Sequence, residues 1–252
     1  MTLAPSASVG AARRVTFDPS WRSFSSTQGG LVVGHLLAAA AELTGTAPRA
    51  VAAHLLGGVV PEVEAEVTAV VDRAGRTGSV RSELHQSGAV RAVAQVLTSA
   101  APPTAPVEHY RPVSLPRPAD GEPFALPREY VPIAEHLEIR ALDATRPLAG
   151  GDEPRLRAWV RVDGDLPPLV QVGVLLDALP PSLFAVRTSP AAMPTVELSA
   201  HLAALPPTGD WVLVVQRTVW QDDEVAVDEV ELRGLDGTPV ALGRQTRRML
   251  GG

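Results

Sequence analysis

The sequence predicts an α+β fold in which one structural unit is used twice, and three observations predict it. An alanine- and leucine-rich run, Leu31 to Leu43, precedes a series of alternating segments. A second apolar run, Leu169 to Leu179, precedes another such series. Short peptides recur in the same order in both halves, the mark of an internal repeat.

In the first half, Leu31 to Leu43 is long enough for a helix and apolar almost all round, so it should be buried. Gln28-Gly29-Gly30 stands before it. Pro48 to Leu56 reads as a short strand. From Glu62 to Val71 the residues alternate, with Val63, Ala65, Val67, Ala69 and Val71 on one face and Glu62, Glu64, Glu66 and Thr68 on the other. Period two over that length predicts a strand. Ala74-Gly75 and Ser87-Gly88 are turn signals, and Ser79 to Gln86 and Val90 to Thr98 complete the set.

The second half repeats this order. Arg155 to Val162 alternates as a strand, a turn follows at Asp165 to Pro168, and the helix is expected over Leu169 to Leu179. Thr195 to Leu202, Trp211 to Trp220, Glu224 to Arg233 and Val240 to Leu250 read as strands, with Asp236-Gly237 at the last hairpin. Val33-Gly34-His35-Leu36-Leu37 matches Val172-Gly173-Val174-Leu175-Leu176, Ala53-His54-Leu55 matches Ala200-His201-Leu202, and Val90 to Gln95 aligns with Val240 to Gln245. Between the halves prolines recur from Ala101 to Pro147, which forbids a central strand or a long helix. Its aromatic residues Tyr110, Phe124 and Tyr130 suggest a linker docked on the surface. The expected division is therefore 1–100, a proline-rich linker at 101–150, and 151–252. A long helix wrapped by an antiparallel sheet is the hotdog arrangement, so the expectation is a double hotdog. Joining the two sheets edge to edge would cover strand edges otherwise exposed.

Composition narrows the function. Net charge is −6, which disfavours a nucleic-acid binder, since that needs a basic face. Every basic side chain except histidine is arginine. The absence of cysteine removes disulfides, thiolate metal sites and a cysteine nucleophile. Met1 to Arg14 has no apolar core of a secretory signal, and the apolar run Leu31 to Ala41 is far short of the roughly 20 residues of a membrane helix. A cytoplasmic protein with no membrane partner is expected. There is no G-x-S-x-G elbow, no H-E-x-x-H and no phosphate-binding glycine loop, so neither a serine hydrolase, nor zinc, nor a nucleotide cofactor is expected.

The repeat itself points to a site. Asp177 stands in the second copy where the first has Ala38. A carboxylate in an apolar helix is costly to bury without partners. It is either an exposed helix end or cap, or a general base at the seam between the halves. Gln245 is either a solvent-facing strand residue or a second polar group at that seam. Six histidines are scattered; His54 and His201 hold equivalent places and suggest a shared structural role, while His35 could face the counterpart of the site. Trp21, Trp159, Trp211 and Trp220 are expected to pack sheets or interfaces.

Asp177-Ala178-Leu179-Pro180-Pro181, the strand start Thr195-Val196-Glu197-Leu198, and Arg244-Gln245 resemble the bacterial acyl-CoA thioesterase II family, a double-hotdog family. Gln28-Gly29-Gly30 and Asp72-Arg73-Ala74-Gly75-Arg76 are similar to motifs of its first half. The resemblance implies that Asp177, Thr195 and Gln245 hold an attacking water, that one site works per chain, and that the substrate is acyl-CoA. It implies no metal or other cofactor, and a homodimer or larger homo-oligomer as the assembly. Gly29 and Gly30 would let substrate approach, and Arg73 and Arg76 are candidates for the CoA phosphates, as are Arg247 and Arg248; all four arginines read equally well as solvated. The residue types suit thioester hydrolysis, which needs an oriented water, a weak base and an oxyanion donor. Two rivals stand beside it. One is a double hotdog that binds acyl thioesters or lipids without cleaving them. The other is a hotdog hydratase, which would need an Asp–His pair that is not seen.

Overall fold

The computed structural model describes residues 10–100, 115–142, 146–203, 205 and 209–250. The first nine residues and the linker stretch 101–114, with Tyr110, lie outside the described residues. The first half consists of β1 (Gly10–Val15), a small hairpin of β2 (Arg22–Ser23) and β3 (Ser26–Thr27), helix α1 (Gly29–Thr44), and β4 (Ala47–Leu55), β5 (Ala65–Arg73), β6 (Thr77–Gln86) and β7 (Ala89–Ser99). The linker region contributes β8 (Glu122–Pro123) and β9 (Leu137–Ala141). Then come β10 (Arg155–Val162), α2 (Pro168–Leu176), β11 (Thr195–Leu202), β12 (Val212–Gln221), β13 (Val225–Arg233) and β14 (Pro239–Arg248).

Twelve strands form one antiparallel sheet in the order β1-β5-β6-β7-β4-β11-β14-β13-β12-β10-β9-β8. Read from the middle outwards, β4-β7-β6-β5-β1 on one side answers β11-β14-β13-β12-β10 on the other. A strand–helix–four-strand unit is present twice, the first copy adding β1, which lies outside the strands expected from the sequence, and the copies join edge to edge at β4 and β11. At this seam Ala52 pairs with Ser199, the residues two before His54 and His201. Both histidines are exposed, so they sit on the outer face. The inner face wraps the two helices, and one continuous core runs through both halves.

The helices touch backbone to backbone. A Cβ on Gly34 would lie 2.6 Å from Val170 Cα, and one on Gly173 would meet Gly30 O and Gly34 Cα. The matched glycines of the repeat are thus the crossing point of α1 and α2. With Gly34 over Gly173, the two helices begin at equivalent residues, Gly29 and Pro168, but α2 is the shorter.

Three differences from expectation have physical causes. The strand expected from Glu62 begins at Ala65, because Glu62 takes a left-handed φ of 62°. The buried Gln86 amide holds that turn, donating to Val60 O and Val63 O and accepting from Val60 N–H. The linker region supplies β9, which pairs with β10 where prolines are absent, from Leu137 to Ala141. Helix α2 stops at Leu176 rather than Leu179. Its last carbonyls are taken by side chains: Gln28 Nε2 donates to Val174 O at 3.1 Å and to Asp177 O at 2.8 Å, and Gln245 Nε2 donates to Leu176 O. A helix end leaves those carbonyls without partners of its own, so an amide from each half terminates it. Pro180 and Pro181 then bar continuation. Among the described residues no helix is long and apolar enough to cross a membrane.

Candidate active site at the seam

Asp177 is the residue that ends α2, and it is buried against the first turn of α1. Its side chain is 10% exposed. Gly30 N–H donates to Asp177 Oδ2 at 3.1 Å. The approach is possible because Gly30 has no side chain: a Cβ there would lie 2.8 Å from Asp177 Cβ and collide with Gly173 O. Gly29 is equally tight, since a Cβ would lie 2.6 Å from Leu55 Cδ1. The room spared by Gly29 and Gly30 is therefore filled by α2 and β4. Gln28 caps the helix, its Oε1 accepting from Leu31 N–H at 2.9 Å.

Thr195 begins β11 and Gln245 lies near the end of β14, and the sheet brings both to Asp177. Thr195 Oγ1 is 3.4 Å from Asp177 Oδ1 and 3.3 Å from Gln245 Oε1. A single hydroxyl proton serves one of these acceptors at a time. Gln245 is 1% exposed and faces inward, so it is no solvent-facing strand residue. The sequence alignment of Gln95 with Gln245 is off by one. Gln95 pairs with Ala52, and Ser199, the counterpart of Ala52, pairs with Arg244. Gln95 thus corresponds to Arg244, on the outer face, where it bonds Asp72 and Ser79. A slip of one residue exchanges the faces of a strand.

Charge around Asp177 is balanced between opposing effects. Burial pushes its carboxyl above the ordinary range, and the neighbouring Arg247 guanidinium pulls it back, with help from the Gly30 and Thr195 hydrogen bonds. The net direction is upward. Its place at the C-terminal end of α2 is electrostatically adverse, while the N-terminus of α1 opposite it is favourable.

Sequence reasoning missed Arg247, Asp228 and Gln28 as members of this group. The signal was parity: Asp228 shares the inward face of β13 with Ala226 and Val230, and Arg247 shares that of β14 with Gln245. Arg247 is not available to a phosphate, because its side chain is 6% exposed and bound to Asp228. Nor does the fold bring Arg73 and Arg76 to Asp177. They lie on β5 and the turn after it, five strand steps across the sheet from β14, at the end where α1 finishes. Both are exposed, and Arg73 Nη2 donates to Thr77 O. His35 faces β1, its Nδ1 accepting from Arg13 Nη2 at 3.1 Å, and lies edge-on to Phe17. Burial and the Arg13 charge lower its pKa to about 4.

Comparison with known proteins agrees with this architecture. The model of the acyl-CoA thioesterase N-terminal domain matches residues 17–99, and that of the C-terminal domain matches residues 100–249. No curated protein sequence matches the chain. A protein of Thermobifida fusca assigned as a thioesterase II superposes with TM-score 0.84 at 22% identity, over 95% of this chain and 92% of that one. A conserved hotdog protein of unknown function from Alicyclobacillus acidocaldarius gives 0.83 at 17%, over 96% and 94%. An acyl-CoA thioesterase II from Mycobacterium marinum gives 0.68 at 15%, over 96% and 93%. At these identities the superpositions establish the double-hotdog fold, and the domain models, which together span both halves, place the chain in the acyl-CoA thioesterase family.

Proposed function

We propose that the chain hydrolyses acyl-CoA thioesters with a water activated by Asp177 and oriented by Thr195 and Gln245. The observation that carries this reading is a buried carboxylate, Asp177, held at a helix N-terminus and sharing the Thr195 hydroxyl with the buried Gln245 amide. Asp177 accepts from Gly30 and Thr195, which leaves lone pairs for a water. Gln245 spends one N–H on Leu176 O and keeps a second for the same water. Asp177 takes a proton as the water attacks the thioester carbon and forms an oxyanion; collapse of that oxyanion breaks the C–S bond, and the departing CoA sulfur takes the proton back from Asp177. The first turn of α1 is the source of oxyanion stabilisation. Its Gly30 N–H is used by Asp177 and its Leu31 N–H by Gln28, so the Gly29 N–H, unpartnered among the described residues, is the donor we assign.

A raised carboxyl pKa has a definite consequence for rate. The base works only when ionised, so kcat/KM should rise with pH through a midpoint above the ordinary carboxylate range of about 4. The reading includes a cytoplasmic homodimer, and sedimentation velocity tests the assembly. The deciding experiment is thiol release from acetyl-, hexanoyl- and palmitoyl-CoA by wild type, Asp177→Asn and Gln245→Ala. Turnover by wild type and its loss in Asp177→Asn are expected. Saturable CoA binding with no thiol release from any of the three would replace the hydrolase with a binding protein.

A further inference from the structure

Arg247 lies on β14 two residues beyond Gln245 and is 5% exposed. Each nitrogen of its planar fork faces a different member of the site. Nε donates to Asp228 Oδ2 at 2.8 Å, and Nη1 donates to Thr195 Oγ1 at 3.0 Å. Nη2 has no hydrogen-bond partner among the described residues and stands 3.6 Å from Asp177 Oδ1. The guanidinium is always charged and rigid, so three contacts define its plane.

Asp228 is the anchor. Besides Arg247, its carboxylate accepts from Thr218 Oγ1 at 2.7 Å, Ser182 Oγ at 2.8 Å, Gln216 Nε2 at 3.3 Å and Ser182 N–H at 3.4 Å. Gln216 Nε2 also donates to Pro180 O at 2.7 Å. The same cluster therefore ties down the segment that leaves α2 at Asp177.

We propose that Arg247, braced by Asp228, is a positioning residue that keeps Asp177 ionised and turns the Thr195 hydroxyl toward it. The inference rests on the hydrolase reading. A hydroxyl that accepts from Arg247 Nη1 must aim its own proton away from the guanidinium, at Asp177 Oδ1 or Gln245 Oε1. A carboxyl buried as Asp177 is keeps its proton unless a cation stands close by. Among the described residues, Gln28, Gly30 and Thr195 hydrogen-bond to it from the other elements, and none of them is titratable. Arg247, which draws the proton off, and Asp228, which opposes it more weakly, are the charges acting on Asp177.

The test is the pH profile of kcat/KM for the full chain on the best of the three acyl-CoA probes. Arg247→Met should move the rising midpoint up by about one to three units, so that activity lost below the new midpoint returns at higher pH. Arg247→Lys keeps the cation without the fork; its midpoint should stay near wild type while its rate falls at every pH. Asp228→Asn removes the opposing charge and should move the midpoint down. A loss in Arg247→Met that is uniform across pH, with the midpoint unmoved, overturns the inference and leaves the hydrolase reading intact. Turnover by Asp177→Asn instead sinks that reading. If Arg247→Met does not fold by circular dichroism, Arg247→Gln takes its place, and an unmoved midpoint overturns the proposal.

Discussion

The two ends of the seam occupy equivalent places in the repeat and differ in nearly every polar side chain. Around Asp177 stand Gln28, Thr195, Asp228, Gln245 and Arg247. At the other end the repeat puts Ala38 for Asp177, Pro167 for Gln28, Pro48 for Thr195, Val80 for Asp228, Val96 for Gln245 and Thr98 for Arg247. Val80 and Val96 are fully buried, so the counterpart is closed apolar core. The helices differ in step with this. α1 passes Ala38 without interruption, whereas α2 ends at the corresponding Asp177. One copy keeps a buried polar cluster that costs stability, and the other packs the same space with hydrocarbon. The duplication thus separates reactive and structural duties between two copies of one unit.

The largest expected effect removes what distinguishes the two ends. Asp177→Asn should lower kcat/KM by a factor of about 10²–10⁴, measured by thiol release. It should also raise the melting temperature at neutral pH. The folded pKa of Asp177 lies above its unfolded value, so the folded state binds more protons and stability falls as pH rises between the two. Asparagine lacks this penalty, so the gain should vanish in melts at pH low enough to protonate the carboxyl in both states. A variant equally destabilised at every pH would contradict the burial argument.

The next effect tests the register. Gln245→Ala should lower kcat/KM by about 10²-fold, through loss of water orientation. Gln95→Ala, on the outer face of the other copy, should leave it within about twofold. Equal losses would mean that the two amides share a function after all. Gly30→Ala should then cost about 1–3 kcal/mol in a chemical denaturation series, because the helices cannot part without losing the contacts at Gly173. The smallest effect is expected from Arg73→Ala and Arg76→Ala. Their KM for acyl-CoA should change less than about twofold, and a tenfold rise would restore them as phosphate ligands.

Much of the fold was legible because periodicity reports burial one residue at a time. The β10 and β11 boundaries follow directly from alternation at Arg155–Val162 and Thr195–Leu202. The Gly34 and Gly173 match marked the repeat, and the Ala38/Asp177 mismatch marked the site. What escaped was long-range. Gln86 remodels the start of β5 from across the sheet, and Gln28 and Gln245 end α2 from the other half and from β14. Arg247 read as a phosphate ligand or a solvated residue because, although parity puts it on the inward face, only the tertiary fold brings Asp228 to it.

By itself the sequence determined the duplication, the helix–sheet order of each copy and the carboxylate that one copy alone carries, since these are set by local pattern and by comparison of the copies. Only the tertiary structure decided which amide faces inward, that α2 stops at Asp177, and that Arg247 is locked beside it. Those outcomes depend on strand register and on hydrogen bonds between residues far apart in the chain, and local pattern does not fix which distant partners meet.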